Sequence, residues 1–463
     1  MNATADATAQ VLDRKTIATY AIGSLGTGGF ATLPGLVLVY YLTDALGVTA
    51  LVAGLVVVVA KVWDVLIDPV IGSRSDHSLA TTGSRRRFMI IGALVLPVFF
   101  TLTFAVPPDL SVGAAAGWVL VAFLVCATAF SLFQVPYIAL PAELAAGYHD
   151  RTRLLTWRVV VLTLAILLFG AGGPLLRGLA DDARLGYLIM ALVAGVVIGA
   201  GMLISTSVAP RDHPIARRSP AASPTASYRA GLAVLRRSAP FRALLVTFLL
   251  QGVATGMMLA GAQYVATWVL RSEDAVTLVF VALIAPALLL APVWGVVARR
   301  VGKERAFALA SSLFTLAALC MLGLLWAPGA WVYLPVALAG AAYAGMQSLP
   351  MAMLPDVISH DSRRNGEGHA GTFSGVWTAG ETTGMAFGAV SLTVILAITG
   401  YAERVAGTVV DQSPAAIAGI VLSFSVVPAV LLLLSLATLR RYRLRKADID
   451  PQEDATTDEK ATA

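Results

Sequence analysis

Charge is scarce in this chain. Asp, Glu, Lys and Arg make up 13% of its 463 residues, about half of the ~25% usual in soluble domains. A soluble protein of this length needs charge to cover its surface, so that class is excluded and a chain solvated by lipid is implied. Cysteine is nearly absent: Cys126 and Cys320 both lie in apolar stretches, so neither a structural disulfide nor a thiolate metal site is expected. The five histidines, His77, His149, His213, His360 and His369, all fall in or beside segments expected in the cytoplasm. No P-loop and no catalytic constellation is present, so the chain is not expected to be an enzyme, to hydrolyse ATP or to carry a cofactor. Residues 1–16 are polar and no short apolar region with a cleavage site follows, so the first apolar segment is expected to be a retained anchor.

What the chain has instead is apolar length. Apolar residues make up 58% of it, and a bilayer-spanning helix needs roughly 20 of them in a row. Twelve such stretches occur, at about 17–45, 50–73, 87–107, 113–141, 153–178, 184–208, 240–270, 276–298, 305–327, 331–354, 370–399 and 415–439. Pro34, Pro136, Pro286 and Pro292 interrupt them, which helices packed against other helices in a membrane tolerate.

Of the 33 Lys and Arg, only Arg177, Arg184, Arg271 and Arg404 fall on the odd-to-even turnarounds. Lys61 lies within a span, and all the others, including Arg74, the Arg299–Arg300–Lys303 group and the basic run at 440–446, fall on the opposite side. The positive-inside rule then puts both termini in the cytoplasm of a cell-membrane protein. The net charge of +6 reflects this bias; basic residues scattered over short loops give no case for nucleic-acid binding.

The domains expected are a cytoplasmic N-terminal segment 1–16, a six-helix half 17–208, a cytoplasmic linker 209–239, a second six-helix half 240–440 and a cytoplasmic tail 441–463. The linker is rich in Pro, Ser, Ala and Arg. The halves echo one another: DPVIGSRSD and then GSRRRF follow the second span, and APVWGVVARRVGKERAF follows the eighth. Two parallel repeats produce such an echo.

Ionisable groups inside spans are costly and are functional candidates by default. The second span carries Lys61, Asp64 and Asp68, in KVWDVLIDPVIG. Spacings of three and four place all three on one helix face. Two carboxylates one turn apart in a low dielectric resist being charged together, and a cation or a proton between them resolves this. Oxygen ligands suit a hard cation such as Na⁺. The plainer alternative is that Lys61 neutralises one aspartate and fixes helix packing.

Glu381, in VWTAGETTGMAF of the eleventh span, is the other deep acid, with Trp377 one turn before it. It either lines a cavity, paired with Lys61 or protonated, or makes a packing hydrogen bond. Gln251, Gln263 and Gln347 are expected to bridge helices. Tyr264 and Trp268 are candidates for a cavity mouth or an interfacial belt.

KVWDVLIDPVIGSRSD followed by GSRRRFMIIG resembles the signature of the glycoside–pentoside–hexuronide:cation symporters, a branch of the major facilitator superfamily. YYLTDALG, VPYIALPAEL, DRTRLLTWR and LPDVISHD carry the resemblance along nearly the whole chain. It implies an all-α polytopic membrane protein with twelve transmembrane helices in two six-helix pseudo-symmetric halves. It places the family's cation-site aspartates on Asp64 and Asp68, its upstream basic residue on Lys61, its span-four hydroxyl on Ser131 and its span-five arginine on Arg158. The departures are informative. Where sugar-carrying members have acids, this chain has Gly28 and Gln134; a Na⁺-ligating amide is Ile67 here; a span-eleven lysine is Glu381. Losing both acids argues against a galactoside, because carboxylates give strong charge-assisted bonds to hydroxyls. Losing the amide is compatible with H⁺ coupling.

The expected function is therefore symport of a small organic or amphipathic solute coupled to H⁺ or Na⁺, by alternating access, in a monomer embedded in the bilayer. Gln134, Glu381, Trp377, Arg158, Gln263 and Tyr264 are the expected cavity residues. Asp76, Arg85, Arg86, Arg87, Arg299 and Arg300 are the expected cytoplasmic gate. A proton-driven exporter of drugs or lipids shares this architecture, and a non-transporting receptor or scaffold is the alternative from another class. Analogy with lysophospholipid-carrying members makes an amphipathic lipid one candidate solute.

Overall fold

The computed structural model describes residues 13–144, 148–210, 235–365, 370–405, 408, 410–442 and 444. Most of the expected linker and tail lie outside these residues. The described chain is helical, with one isolated bridge, Leu46 to Val405. We number twelve long helices in chain order. They are α1 Arg14–Ala45, α2 Ala50–Thr82, α3 Arg86–Phe104, α4 Val112–Leu144, α5 Tyr148–Arg177 and α6 Ala183–Ser205. Then come α7 Ala239–Tyr264, α8 Ala275–Val301, α9 Lys303–Cys320, α10 Tyr333–Asn365, α11 Ala370–Ile398 and α12 Pro414–Leu439. Among the described residues, 11 helices are long and apolar enough to cross a membrane. The remaining one, α10, is as long as α2 and α4 at 33 residues. Its glycines and prolines, Gln347 and Ser348 dilute its hydropathy.

The helices begin and end where local chemistry dictates. Ser238 and Ser413 cap α7 and α12 through bonds from Phe241 N (3.4 Å) and Ala416 N (3.1 Å), and a proline opens each first turn. Asp182 accepts the Arg184 amide at 3.0 Å and starts α6. Gly83, at φ +71°, ends α2 in the left-handed conformation that glycine adopts without strain. Large apolar side chains stand exposed on the outer faces, among them Leu55, Leu66, Leu164 and Leu168, as a lipid solvent permits.

The chain forms two compact units. One holds residues up to Pro224 together with Glu403–Val409; the other holds Thr225–Ala402 and everything from Val410 on. In the C-terminal unit α7 and α11 cross with backbones almost touching. A Cβ at Gly256 would lie 2.4 Å from the Met385 carbonyl oxygen, and one at Gly388 would lie 2.4 Å from Val253 O. The chain reads G-V-A-T-G at 252–256 and G-M-A-F-G at 384–388, the small-xxx-small pattern by which membrane helices approach closely. Gln251 stitches α7 to its neighbours: its Nε2 donates to Ser311 Oγ of α9 (2.8 Å) and Ser435 Oγ of α12 (3.3 Å).

The segment Glu403–Val409 is an unexpected part of the N-terminal unit. Arg404 lies 3.3 Å from Asp44, a side chain only 1% exposed at the end of α1. It also donates to the Tyr40 hydroxyl at 3.0 Å, and its backbone N–H donates to Thr43 O at 3.1 Å. Glu403 Oε1 accepts the Ala50 amide at 2.9 Å, where a carboxylate meets the positive end of α2.

Two outcomes follow. Arg404→Ala leaves the buried Asp44 carboxylate without its guanidinium, so thermal unfolding of the purified protein should show a loss on the order of 3 kcal/mol. Gly256→Ala forces the α7–α11 crossing apart and should lower the unfolding midpoint, whereas Gly375→Ala, with open space around its Cβ, should leave it within measurement error.

Candidate functional site

Helical register determines the first site. Lys61, Asp64 and Asp68 occupy successive turns of one face of α2. Lys61 Nζ bonds Asp64 Oδ2 at 2.9 Å, and the two side chains are 36% and 20% exposed. Asp68, one turn or about 6 Å further along the axis, is accessible. The hydroxyl of Ser131 on α4, a residue 4% exposed, lies beside it. Trp63 Nε1 donates to Thr128 Oγ1 at 2.8 Å and pins the same stretch of α2 to α4. Lys61 is thus committed to Asp64, as a neutralising pair requires, and Asp68 is left with a neutral hydroxyl. Two carboxylates and a hydroxyl form an oxygen set able to hold a proton or a small hard cation.

A second polar group lies where α1, α4 and α5 meet. Thr27 Oγ1 donates to Gln134 Oε1 at 2.7 Å. The Tyr137 hydroxyl lies 3.0 Å from Ser24 Oγ and donates to Tyr20 O at 2.9 Å. The Arg158 guanidinium sits 5.5 Å from the Tyr137 ring centroid, and its Nε is buried without a partner. Gly28, by contrast, packs on α5: a Cβ there would meet the Ala165 Cβ at 2.6 Å. On α1 it is therefore Thr27 that reaches Gln134. Sequence reasoning singled out Gln134 and Arg158 but not Tyr20, Ser24, Thr27 or Tyr137. Tyr137 lay within the quoted VPYI stretch, the only signal available for it.

In the C-terminal unit Glu381 is half-buried in a small pocket with Phe248, Gln251, Thr255, Tyr343 and Gln347. Trp377 does not open onto it. Its ring is 2% exposed and stacks on Phe248 with centroids 4.4 Å apart. Gln263 and Tyr264 are fully buried, Gln263 donating to Thr267 at 3.0 Å and Tyr264 lying edge-on to Tyr401. These three side chains belong to helix packing, because the apolar faces of α7 and α11 point them inward.

At the arginine-rich end Arg85 is a hub. It bonds Glu143 Oε1 of α4 at 2.7 Å and Ser75 Oγ at 2.6 Å, and pairs with Asp76. Arg86 and Arg87 stay outside this network: the Arg86 Nε is buried without a partner and Arg87 is exposed. In the other unit Arg299 and Arg300 are exposed and form no ion pair among the described residues. Lys303 takes that part, bonding Asp356 at 2.6 Å and Ala352 O at 3.0 Å. Arg237 bonds Asp361, a residue 4% exposed, with Nε to Oδ1 at 3.2 Å. Nearby, burial and then the charges of Asp356 and Glu304 push the Tyr442 hydroxyl above the usual tyrosine range, which keeps it a neutral phenol.

A family model described as MFS/sugar transport protein matches residues 19–446. The chain is 26% identical to the glucuronide carrier protein homolog of Escherichia coli (strain K12), covering 94% of this chain and 93% of that one. It is 24% identical to sodium-dependent lysophosphatidylcholine symporter 1 of Gallus gallus, covering 83% and 79%. The crystal structure of a D-xylose-proton symporter superposes with a TM-score of 0.70 at 13% identity, over 94% of this chain and 98% of that one; at that identity the likeness is one of fold.

The hub yields a prediction. Arg85→Ala should lower stability on the order of 2 kcal/mol, as expected for charge-assisted bonds among part-buried groups, and Arg87→Ala should have no measurable effect. Thermal unfolding of the two variants side by side checks this.

Proposed function

The chain belongs to the MFS/sugar transport protein family, and from that premise we propose that it moves a small organic or amphipathic solute together with H⁺ or Na⁺ by alternating access. It is a multi-pass membrane protein and a cation-coupled symporter, not an enzyme. The coupling ion or proton binds at Asp68 and Asp64, with Ser131 completing the oxygen set and Lys61 balancing the charge. The observation that carries this is Asp68 itself: accessible, one turn from a carboxylate that already has its lysine, and beside a buried hydroxyl. A purely structural pair would not need the second acid.

Binding there shifts the balance between inward- and outward-facing states, since coupling requires different affinities in the two. Gln134 and Arg158 supply the solute contacts of the N-terminal unit, and Glu381 those of the C-terminal unit. Thr27 and Gln134 offer no carboxylate to a sugar hydroxyl, which argues against a galactoside. The Gallus gallus relative is by its name a symporter of lysophosphatidylcholine, which supports an amphipathic solute here. Both termini lie in the cytoplasm, as the lysine and arginine bias requires, and the protein works as a monomer.

The test is flux into proteoliposomes under imposed Na⁺ or H⁺ gradients, with panels of sugars, lysolipids and cationic dyes. Asp68→Asn should abolish gradient-driven accumulation while leaving exchange of solute down its own gradient. Asp64→Asn should do the same, with added loss of stability because Lys61 loses its partner. Accumulation by both variants at the intact rate, with unchanged ion dependence, would overturn the coupling assignment.

A further inference from the structure

Glu381 is a carboxylate without a hydrogen bond or an ion pair among the described residues. The polar groups around it are engaged elsewhere. Gln347 Nε2 donates to the Tyr343 hydroxyl at 3.0 Å, Thr255 Oγ1 donates to Gln251 O at 2.9 Å, and Gln251 Nε2 donates to Ser311 on α9 at 2.8 Å. A helix-bridging role would show as a hydrogen bond from a neighbouring helix, and none reaches Glu381 among the described residues. An ionised carboxylate in an apolar surround is expensive unless something brings it a positive charge.

The pocket walls indicate what that charge is. Phe248 and Tyr343 contribute aromatic rings and Met385 a thioether, and the Phe248 ring is held in place by its stack on Trp377. Aromatic rings and thioethers are poor ligands for a hard inorganic cation. Together with a carboxylate they make a good seat for an organic ammonium group, which gains both charge pairing and cation–π contact. The α7–α11 crossing through Gly252, Gly256, Gly384 and Gly388 brings Thr255 and Met385 to the pocket.

We propose that the Glu381 pocket binds the protonated amine or quaternary ammonium group of the transported solute, an inference that rests on the symport reading above and adds the chemical class of its substrate. The experiment uses the full-length protein in lipid nanodiscs, labelled choline as the probe and 3,3-dimethylbutan-1-ol, its neutral carbon isostere, as competitor. Unlabelled choline should displace the label about tenfold more effectively than the isostere, the ratio that 1.4 kcal/mol of charge recognition gives. Glu381→Gln should remove that preference and Glu381→Asp should retain it. Equal displacement by choline and isostere in the unmodified protein overturns the proposal without reference to any variant. So does displacement of choline by NaCl but not by N-methyl-D-glucamine chloride at equal ionic strength, which would mark an inorganic cation site. Whether Na⁺ or H⁺ stabilises the same nanodisc sample against heat is recorded separately. Absence of any ion response counts against the symport reading and leaves the choline comparison intact.

Discussion

A backbone amide surrounded by hydrocarbon has to find its partner within its own segment. Everything else in this protein is arranged around that requirement. It makes each crossing a helix and confines the caps of Ser238, Asp182 and Ser413 to helix starts. It also removes the hydrophobic drive that would hold helices together in water, so association rests on close packing and a few polar stitches. The α7–α11 crossing shows the first, with glycine on both sides and almost no space between backbones. Gln251 shows the second, one amide reaching two other helices.

The same scarcity of water rations charge. Deep in the helices the described acids are few, and each is placed differently. Asp64 has its lysine, Asp68 lies beside a hydroxyl, and Glu381 has no hydrogen bond or ion pair among the described residues. This gradation underlies the separate roles proposed for the three acids. At the arginine-rich end charge is cheap, and there the networks of Arg85 and Lys303 act as fasteners within each unit. The fourth and tenth helices that receive them carry prolines at matched spacing, Pro136 and Pro141, Pro350 and Pro355.

The number of helices was legible in apolar length alone, and the α2 triad in its spacing of three and four, because rare charges in long apolar runs stand out. Which way a side chain points was less legible. Trp377, Gln263 and Tyr264 sit on helices apolar on every side, so no amphipathic stripe tells the core face from the cavity face. Arg299 and Arg300 looked equivalent to Lys303 for a related reason: the basic run marks an end of a helix, and only the packing of α9 on α10 decides which member meets Asp356. Glycine pairs such as G-V-A-T-G and G-M-A-F-G were visible, but a pattern on one helix does not name its partner. Arg404 gave no signal, being one arginine in a short loop far from Asp44.

That distance has a consequence for biosynthesis. Arg404 contacts Tyr40 across 364 positions of chain. The first helices leave the ribosome and enter the bilayer long before the guanidinium that pairs with Asp44 has been translated. The N-terminal unit therefore cannot reach its final form as an early, independent folding product; the last inter-helix loop closes it. Truncated or stalled chains would carry a buried acid lacking its arginine, a mark by which membrane quality control could distinguish the unfinished protein from the finished one.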